Sequence, residues 1–296
     1  MKIRSCKSWL IVVSLCTALA VNALASELTW PSGWTELYPA HRVIGPLYNV
    51  GFEDLSVFLI VTEEGSILIN TGLADSVDPI RKNIESLGFD LADIKVLLCM
   101  QAHFDHAAAL AEIKDLTGAK LYATKKDAAV LAAGGKNDPH FGDEPWAWFD
   151  PVVVDQLISQ DDGITLGGVT LSVHEHPGHT EGSTSFSLTV EEEEEVYDVL
   201  IVNSASINPG KKMFVEPTYE GVGDDFNQTL ENQLALDPDV WVAAHGSQYG
   251  LKKKHTPGQN YDAQRFVDPV GYKEMVNHYK ALYDRQVAAE LKTLPQ

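Results

Sequence analysis

Three things are scarce in this chain, and each scarcity excludes something. Cysteine is reduced to Cys6, Cys16 and Cys99 in 296 residues. The first two fall in the N-terminal segment, so the body of the chain holds a single thiol and no disulfide framework. Its stability must come from core packing and from any metal it binds. Positive charge is also scarce: 22 Lys and Arg face 42 Asp and Glu, a net charge of −20. Such a surface repels phosphate backbones, which argues against a nucleic-acid partner. Long apolar sequence is the third. The run from Trp9 to Ala20 is shorter than the ~20 residues of a membrane-spanning helix, so no stable membrane association is expected. No Pro/Gly/Ser-rich linker divides the chain and no short-period repeat runs through it. With 45% hydrophobic and 22% charged residues, it has the makings of one large domain with a sizeable core.

The first residues stand apart from that core. Lys2, Arg4 and Lys7 precede the apolar run, and Ala23-Leu24-Ala25 follows it with small residues at signal-peptidase spacing. Residues 1–25 therefore read as a secretory leader cut after Ala25, with residues 26–296 as the mature domain in the periplasm. Leu15 before Cys16 does not suit a lipid-attachment site. The leader carries three basic residues and no acidic one, so its loss leaves the protein more acidic still.

Strand-like runs at 47–51, 56–62 and 66–70 are β-branched, apolar and punctuated by turn residues, with Glu64-Gly65 as a hairpin turn. Residues 75–87 read as a helix stopped by Gly88, and 107–116 as another ending at Gly118. Between them, residues 94–100 are apolar apart from Lys95, as in a strand buried on both faces. Cys99 belongs to this run and reads as a buried thiol. A strand at 120–124 and a helix at 125–133 follow. The second half repeats the theme, with strands at 162–166, 169–174, 184–189, 197–203 and 240–244 and helices at 226–236 and 271–291. The acidic run Glu191–Glu195 reads as a solvated hairpin tip. Two β-then-α halves imply an α/β sandwich of two sheets faced by helices.

The chemistry concentrates in Gln101-Ala102-His103-Phe104-Asp105-His106, directly after the buried strand. Two His and one Asp within four residues, at the rigid end of a strand, suit zinc, which takes imidazole nitrogen and carboxylate oxygen. His179, in the turn Gly178-His179-Thr180, and His245, after the apolar run 240–244, stand at two further strand ends. His174 and His176 read as structural or rim residues. His41, His140, His255 and His278 lack a ligand-like context.

The His103-Phe104-Asp105-His106 pattern resembles the His-x-His-x-Asp-His signature of the metallo-β-lactamase superfamily, displaced by glutamine at its first position. The resemblance runs from about Trp30 to Tyr272. It includes Asn70-Thr71-Gly72, where that family usually has Asp-Gly, and the loop 177–183. It looks closest to the subclass B3 enzymes, in particular their glutamine-bearing (GOB-like) branch, which the segment 260–266 also resembles. It implies the αβ/βα sandwich of that family and up to two Zn2+. Gln101, His103 and His179 would hold the first, and Asp105, His106 and His245 the second. Each site keeps an open position for water, as catalytic zinc requires. A neutral amide is a poorer ligand than imidazole, so the first site is expected to be the weaker.

The implied activity is hydrolysis of the β-lactam amide bond in penicillins, cephalosporins and carbapenems by a monomer. Water activated by metal makes a serine nucleophile unnecessary. Asp105 would bind metal and orient that water. Ser204, Ser206 and Trp34 would meet the substrate, with Thr180 and Ser183 as further hydroxyls. Glyoxalase-II-like enzymes and lactonases place a metal-bridging Asp near Ser204, and subclasses B1 and B2 place a Cys. Residues 201–208 contain neither. A lactonase or thioester hydrolase on the same scaffold is the alternative reading, and a zinc-dependent binding protein is a third.

Overall fold

The computed structural model describes residues 29–293. The proposed leader and its cleavage site lie outside the described residues. Twelve strands form two sheets. The first contains β1 (His41–Ile44), β2 (Leu47–Asn49), β3 (Phe58–Thr62), β4 (Gly65–Ile69), β5 (Ile94–Leu98), β6 (Lys120–Thr124) and β7 (Gln156–Ile158), in that order. The second contains β8 (Gly163–Leu166), β9 (Val169–Glu175), β10 (Thr184–Glu192), β11 (Glu195–Val202) and β12 (Val240–Ala243), ordered β12-β11-β10-β9-β8. Both sheets are mixed. β1 to β4 pair antiparallel and β4 to β7 parallel, while only β11 and β12 are parallel in the second sheet.

Strand alternation builds the layers. Phe58, Ile60, Ile67, Ile69, Val96 and Leu98 turn into the core shared with Phe186, Leu188 and Ile201 of the second sheet. Their neighbours Leu59, Leu68 and Leu97 turn outward. There they pack with Ile80 and Ile84 of helix Val77–Ser86 and with Leu110 and Ile113 of helix Leu110–Thr117. Each such buried side chain contributes about 1.5–3 kcal/mol relative to exposure. Helices Val222–Ala235 and Pro269–Leu291 add Phe226, Leu230, Tyr272 and Val276 to the same contiguous core from outside the sheets. The architecture is the expected sandwich of two mixed sheets flanked by helices. Among the described residues, no helix is long and apolar enough to cross a membrane.

The differences from the sequence reading are local. β1 and β7 were not expected; they are the two edges of the first sheet, where short one-sided strands leave little pattern. The expected helix at 107–116 is broken in two. A short turn, Phe104–Ala107, already begins inside the ligand motif, and Leu110–Thr117 follows. Gly118 ends that helix at φ +67°, the left-handed cap expected of it. The acidic hairpin is tighter than its composition suggests. Glu193 and Glu194 alone form the turn between β10 and β11, both at positive φ, as a two-residue hairpin following right-twisted strands requires.

Candidate metal centre

The ligand candidates converge at one rim of the sandwich because each follows a strand. Gln101 and His103 follow β5, and Asp105 and His106 ride on the helical turn Phe104–Ala107. His179 lies in the β9–β10 loop and His245 directly after β12. Hydrogen bonds stitch the two sheets together at this rim. Thr184 N and Asn203 Nδ2 both donate to Met100 O (2.8 and 3.0 Å), and Gly246 N donates to Asp54 O (2.7 Å).

Two groups of ligand atoms meet. His103 Nδ1 lies 3.1 Å from His179 Nε2. Asp105 Oδ2 lies 3.1 Å from His106 Nε2 and 3.5 Å from His245 Nε2, and these three residues can place one atom each within 4.8 Å of one another. Ligands on a tetrahedral zinc with bonds of ~2.0–2.1 Å stand about 3.3 Å apart, so both groups have the spacing of a metal site. Gln101 is buried at 2% exposure and makes no side-chain hydrogen bond with another described residue.

The residues behind the ligands fix which ring nitrogen faces the site. His179 Nδ1 donates to Ser206 O (2.8 Å), leaving a lone pair on Nε2. Asp138 Oδ2 stands 3.5 Å from His103 Nε2, so the proton belongs there and the Nδ1 lone pair faces His179. Two lone pairs meeting at 3.1 Å call for a cation between them. Behind His245, Nδ1 donates to Asp54 Oδ2 (3.2 Å), which turns Nε2 toward Asp105. Burial alone would lower the His245 pKa, but hydrogen bonds to Asp105 and Asp54 outweigh it and raise it to about 9. The group between those carboxylates is thus cationic, a charge that a metal ion can take over. Burial would raise Asp105 as well, yet His106 and His245 hold its carboxyl well below the usual range. His106 and His179 are kept neutral chiefly by burial, as ligation demands.

A further carboxylate ties the ligand loops to each other. Asp127, 1% exposed, accepts from Gly182 N (3.1 Å) and Thr180 Oγ1 (3.2 Å) in the His179 loop. The backbone N–H of Ala102, beside His103, also favours its charged form. Burial raises its pKa to about 6. Gly182 is obligatory here, since a Cβ would stand 2.3 Å from Thr124 Oγ1 and 2.5 Å from Asp127 Oδ1.

The centre opens into a cavity of ≈ 480 Å3 lined by His103, Asp105, His179 and His245, large enough for a small molecule. One wall is aromatic. The Trp30 ring centroid lies 5.0 Å from that of Phe104 and 6.1 Å from that of Trp34, and Trp146 lies 5.2 Å from Phe104. Ser206, Asn208 and Tyr279 form polar parts of the lining. Trp34 and Ser206, expected to meet the substrate, both line this cavity. Ser204 does not line the cavity; it is 1% exposed. Thr180 and Ser183 are likewise buried and bond each other (2.9 Å). His176 bonds Ser185 (2.6 Å) and His174 bonds Ser187 (2.7 Å), so both are structural. Cys99 is buried, its Sγ–H donating to Gln101 O. Asp54, Asp127, Asp138 and Tyr279 went unnoticed in the sequence because none sits in a motif.

Comparison with known proteins agrees with this geometry. Residues 50–245 match the model of the metallo-β-lactamase superfamily. A β-lactamase from Chitinophaga pinensis is 41% identical, with a TM-score of 0.86 over 90% of this chain and 100% of that one. A class B3 di-zinc metallo-β-lactamase from an Alaskan soil metagenome is 41% identical, with a TM-score of 0.84 over 88% of this chain and 98% of that one. The metallo-β-lactamase GOB-18 from Elizabethkingia meningoseptica is 40% identical, with a TM-score of 0.85 over 88% and 97% of the two chains. A hydroxyacylglutathione hydrolase from Rhizobium meliloti is more distant, 25% identical over 68% of this chain and 69% of its own length. Strand ends that converge ligand atoms at zinc spacing, on a fold shared at this level of identity, place the chain in the metallo-β-lactamase superfamily, as a hydrolase on its subclass B3 branch.

Proposed function

We propose that this protein is an exported, zinc-dependent β-lactamase acting in the periplasm on penicillins, cephalosporins and carbapenems. The observation that carries the reading is the pair of ligand groups at zinc spacing on the floor of one cavity. Gln101, His103 and His179 would hold one Zn2+, and Asp105, His106 and His245 the other. What the metal supplies when bound is Lewis acidity, polarising a carbonyl and easing the deprotonation of water near neutral pH.

The protein's own groups do the rest. Asp105, ionised and facing both His106 and His245, is placed to accept a hydrogen bond from the attacking water and orient it. Trp30, Trp34, Phe104 and Trp146 shield the cavity from solvent and offer apolar surface to the substituents of a β-lactam. Ser206 and Asn208, on the loop after β11, offer polar contacts to its carboxylate. That loop reaches the centre, since Ser206 O bonds His179. It carries no Asp or Cys to bridge two metals, which favours the β-lactamase reading over a thioester hydrolase. The neutral Gln101 makes the first site the weaker, so the two zinc ions bind unequally.

The test is hydrolysis of a penicillin, a cephalosporin and a carbapenem by purified zinc-loaded protein, with and without chelator. Lactone and glutathione-thioester substrates run in parallel. Chelator-sensitive turnover of the β-lactams is expected. Preference for the lactone or thioester would transfer the reading to the alternative, and two zinc sites of equal affinity would remove the role given to Gln101.

A further inference from the structure

Three of the four histidines at the centre have an oxygen behind the nitrogen that does not face it, hydrogen-bonded for His179 and His245 and 3.5 Å away for His103. Ser206 O stands behind His179, Asp138 behind His103 and Asp54 behind His245. Such an acceptor holds the proton on the outer nitrogen and frees the inner one for metal. His106 is the exception. Its inner nitrogen, Nε2, faces Asp105 Oδ2 at 3.1 Å. Its outer nitrogen, Nδ1, lies 3.3 Å from Nδ2 of Asn70, and an amide NH2 is a donor.

Rotating the Asn70 amide by half a turn does not remove the conflict. Its Oδ1 accepts from Met100 N (3.0 Å), while Nδ2 reaches Met100 Sδ (3.4 Å) and His106. Met100 N–H is fixed as a donor. His106 Nδ1–H becomes a donor once Nε2 is a ligand. Asn70 has one acceptor oxygen for these two N–H groups, and at 0% exposure bulk solvent does not reach it. A carboxylate in the same place would have one oxygen for each.

We propose that Asn70 is a positioning residue that holds His106 with its proton on Nε2, the nitrogen needed for ligation, and so weakens the Asp105–His106–His245 site. In the metal-free protein this arrangement is self-consistent. Asn70 Nδ2 donates to Nδ1, and the Nε2 proton lies beside the carboxylate of Asp105, whose Oδ2 is 3.1 Å away. Metal binding must move the ring proton to Nδ1, against the Asn70 amide. The inference rests on the metal-site reading above but requires no β-lactam turnover.

Asn70→Asp supplies both acceptors. Asn70→Gly removes the opposing donor and suits a backbone φ of +64°. Long-range 15N–1H spectra of the imidazole rings report where the His106 proton sits and when the ring takes metal. His106→Gln assigns the signal. The expected result is a proton on Nε2 of metal-free wild-type His106. Zinc affinity at that site should rise roughly 10–100-fold in Asn70→Asp, with a smaller rise in Asn70→Gly, in variants whose amide spectra show the native fold. A proton on Nδ1 in the metal-free wild type overturns the proposal. So does a folded Asn70→Gly, with or without Asn70→Asp, that binds zinc no more tightly than wild type. A protein that binds zinc as described but hydrolyses no β-lactam would overturn the function and leave this inference standing.

Discussion

His176 separates a structural histidine from a ligand by a measurement that needs no substrate. Its ring is buried at 2% exposure. Ser185 Oγ, which already accepts from Asn203 N, donates to its Nδ1 (2.6 Å), and Gln233 Nε2 stands 3.3 Å from the same atom. Burial and, secondarily, His174 lower its pKa to about 3. A histidine whose folded pKa is depressed loses stability as pH falls, because the unfolded chain takes up a proton that the folded one refuses. The loss begins near the unfolded pKa of ~6.5 and continues to about 3. At pH 5 it has run for about 1.5 pH units at ~1.4 kcal/mol each, or about 2 kcal/mol. Asn at this position keeps an acceptor oxygen near Nδ1 but cannot titrate. Urea unfolding of wild type and His176→Asn, both with chelator, isolates the effect from the other titrating groups. The variant should be the less stable at pH 8, and the gap should narrow by about 2 kcal/mol at pH 5. A gap that stays constant between the two pH values would show that His176 is not held neutral. Zinc titration of the same variant should be unchanged; loss of a zinc ion would mean that His176, not His179, is the ligand of that loop.

Two further substitutions probe what stands behind the ligands. Asp138→Ala removes the acceptor that orients His103, and should weaken the Gln101–His103–His179 site about 10–100-fold in a zinc titration while leaving the Asp105–His106–His245 site unchanged; equal weakening of both sites would assign Asp138 a general structural role instead. Gly182→Ala drives a methyl group against Thr124 and Asp127, and should destabilise the protein by roughly 1–3 kcal/mol in thermal or urea unfolding. A variant as stable as wild type would show that the loops joined by Asp127 yield to the extra carbon.

Legibility in the sequence followed chemical locality. Gln101 to His106 stand out because they follow strand β5 as consecutive candidate ligands. His179 stands out by its place in the turn Gly178-His179-Thr180, and His245 as a polar residue at the end of the apolar run 240–244. Sheet alternation at Phe58–Ile60 and Ile67–Ile69 was equally open, since a strand shows its two faces at period two. The groups that orient the ligands were not open. Asp54 meets His245 across 191 positions and Asp138 meets His103 across 35, so nothing local marks either. The resemblance to subclass B3 implies a place in the substrate site for Ser204, but the backbone after β11 turns its hydroxyl into the protein and brings Ser206 to the cavity instead.

Asn70 marks the boundary most sharply. In the sequence it is a small change within a turn, where the related family usually has Asp. The backbone explains the type without choosing between the two, because φ +64° is a left-handed conformation that Asn and Asp both tolerate better than other side chains. A turn indifferent to the choice hides the difference between one acceptor and two. Only Met100 N–H and His106 Nδ1, brought against the Asn70 amide by the segment after β5, turn that choice into a statement about how tightly a metal is held.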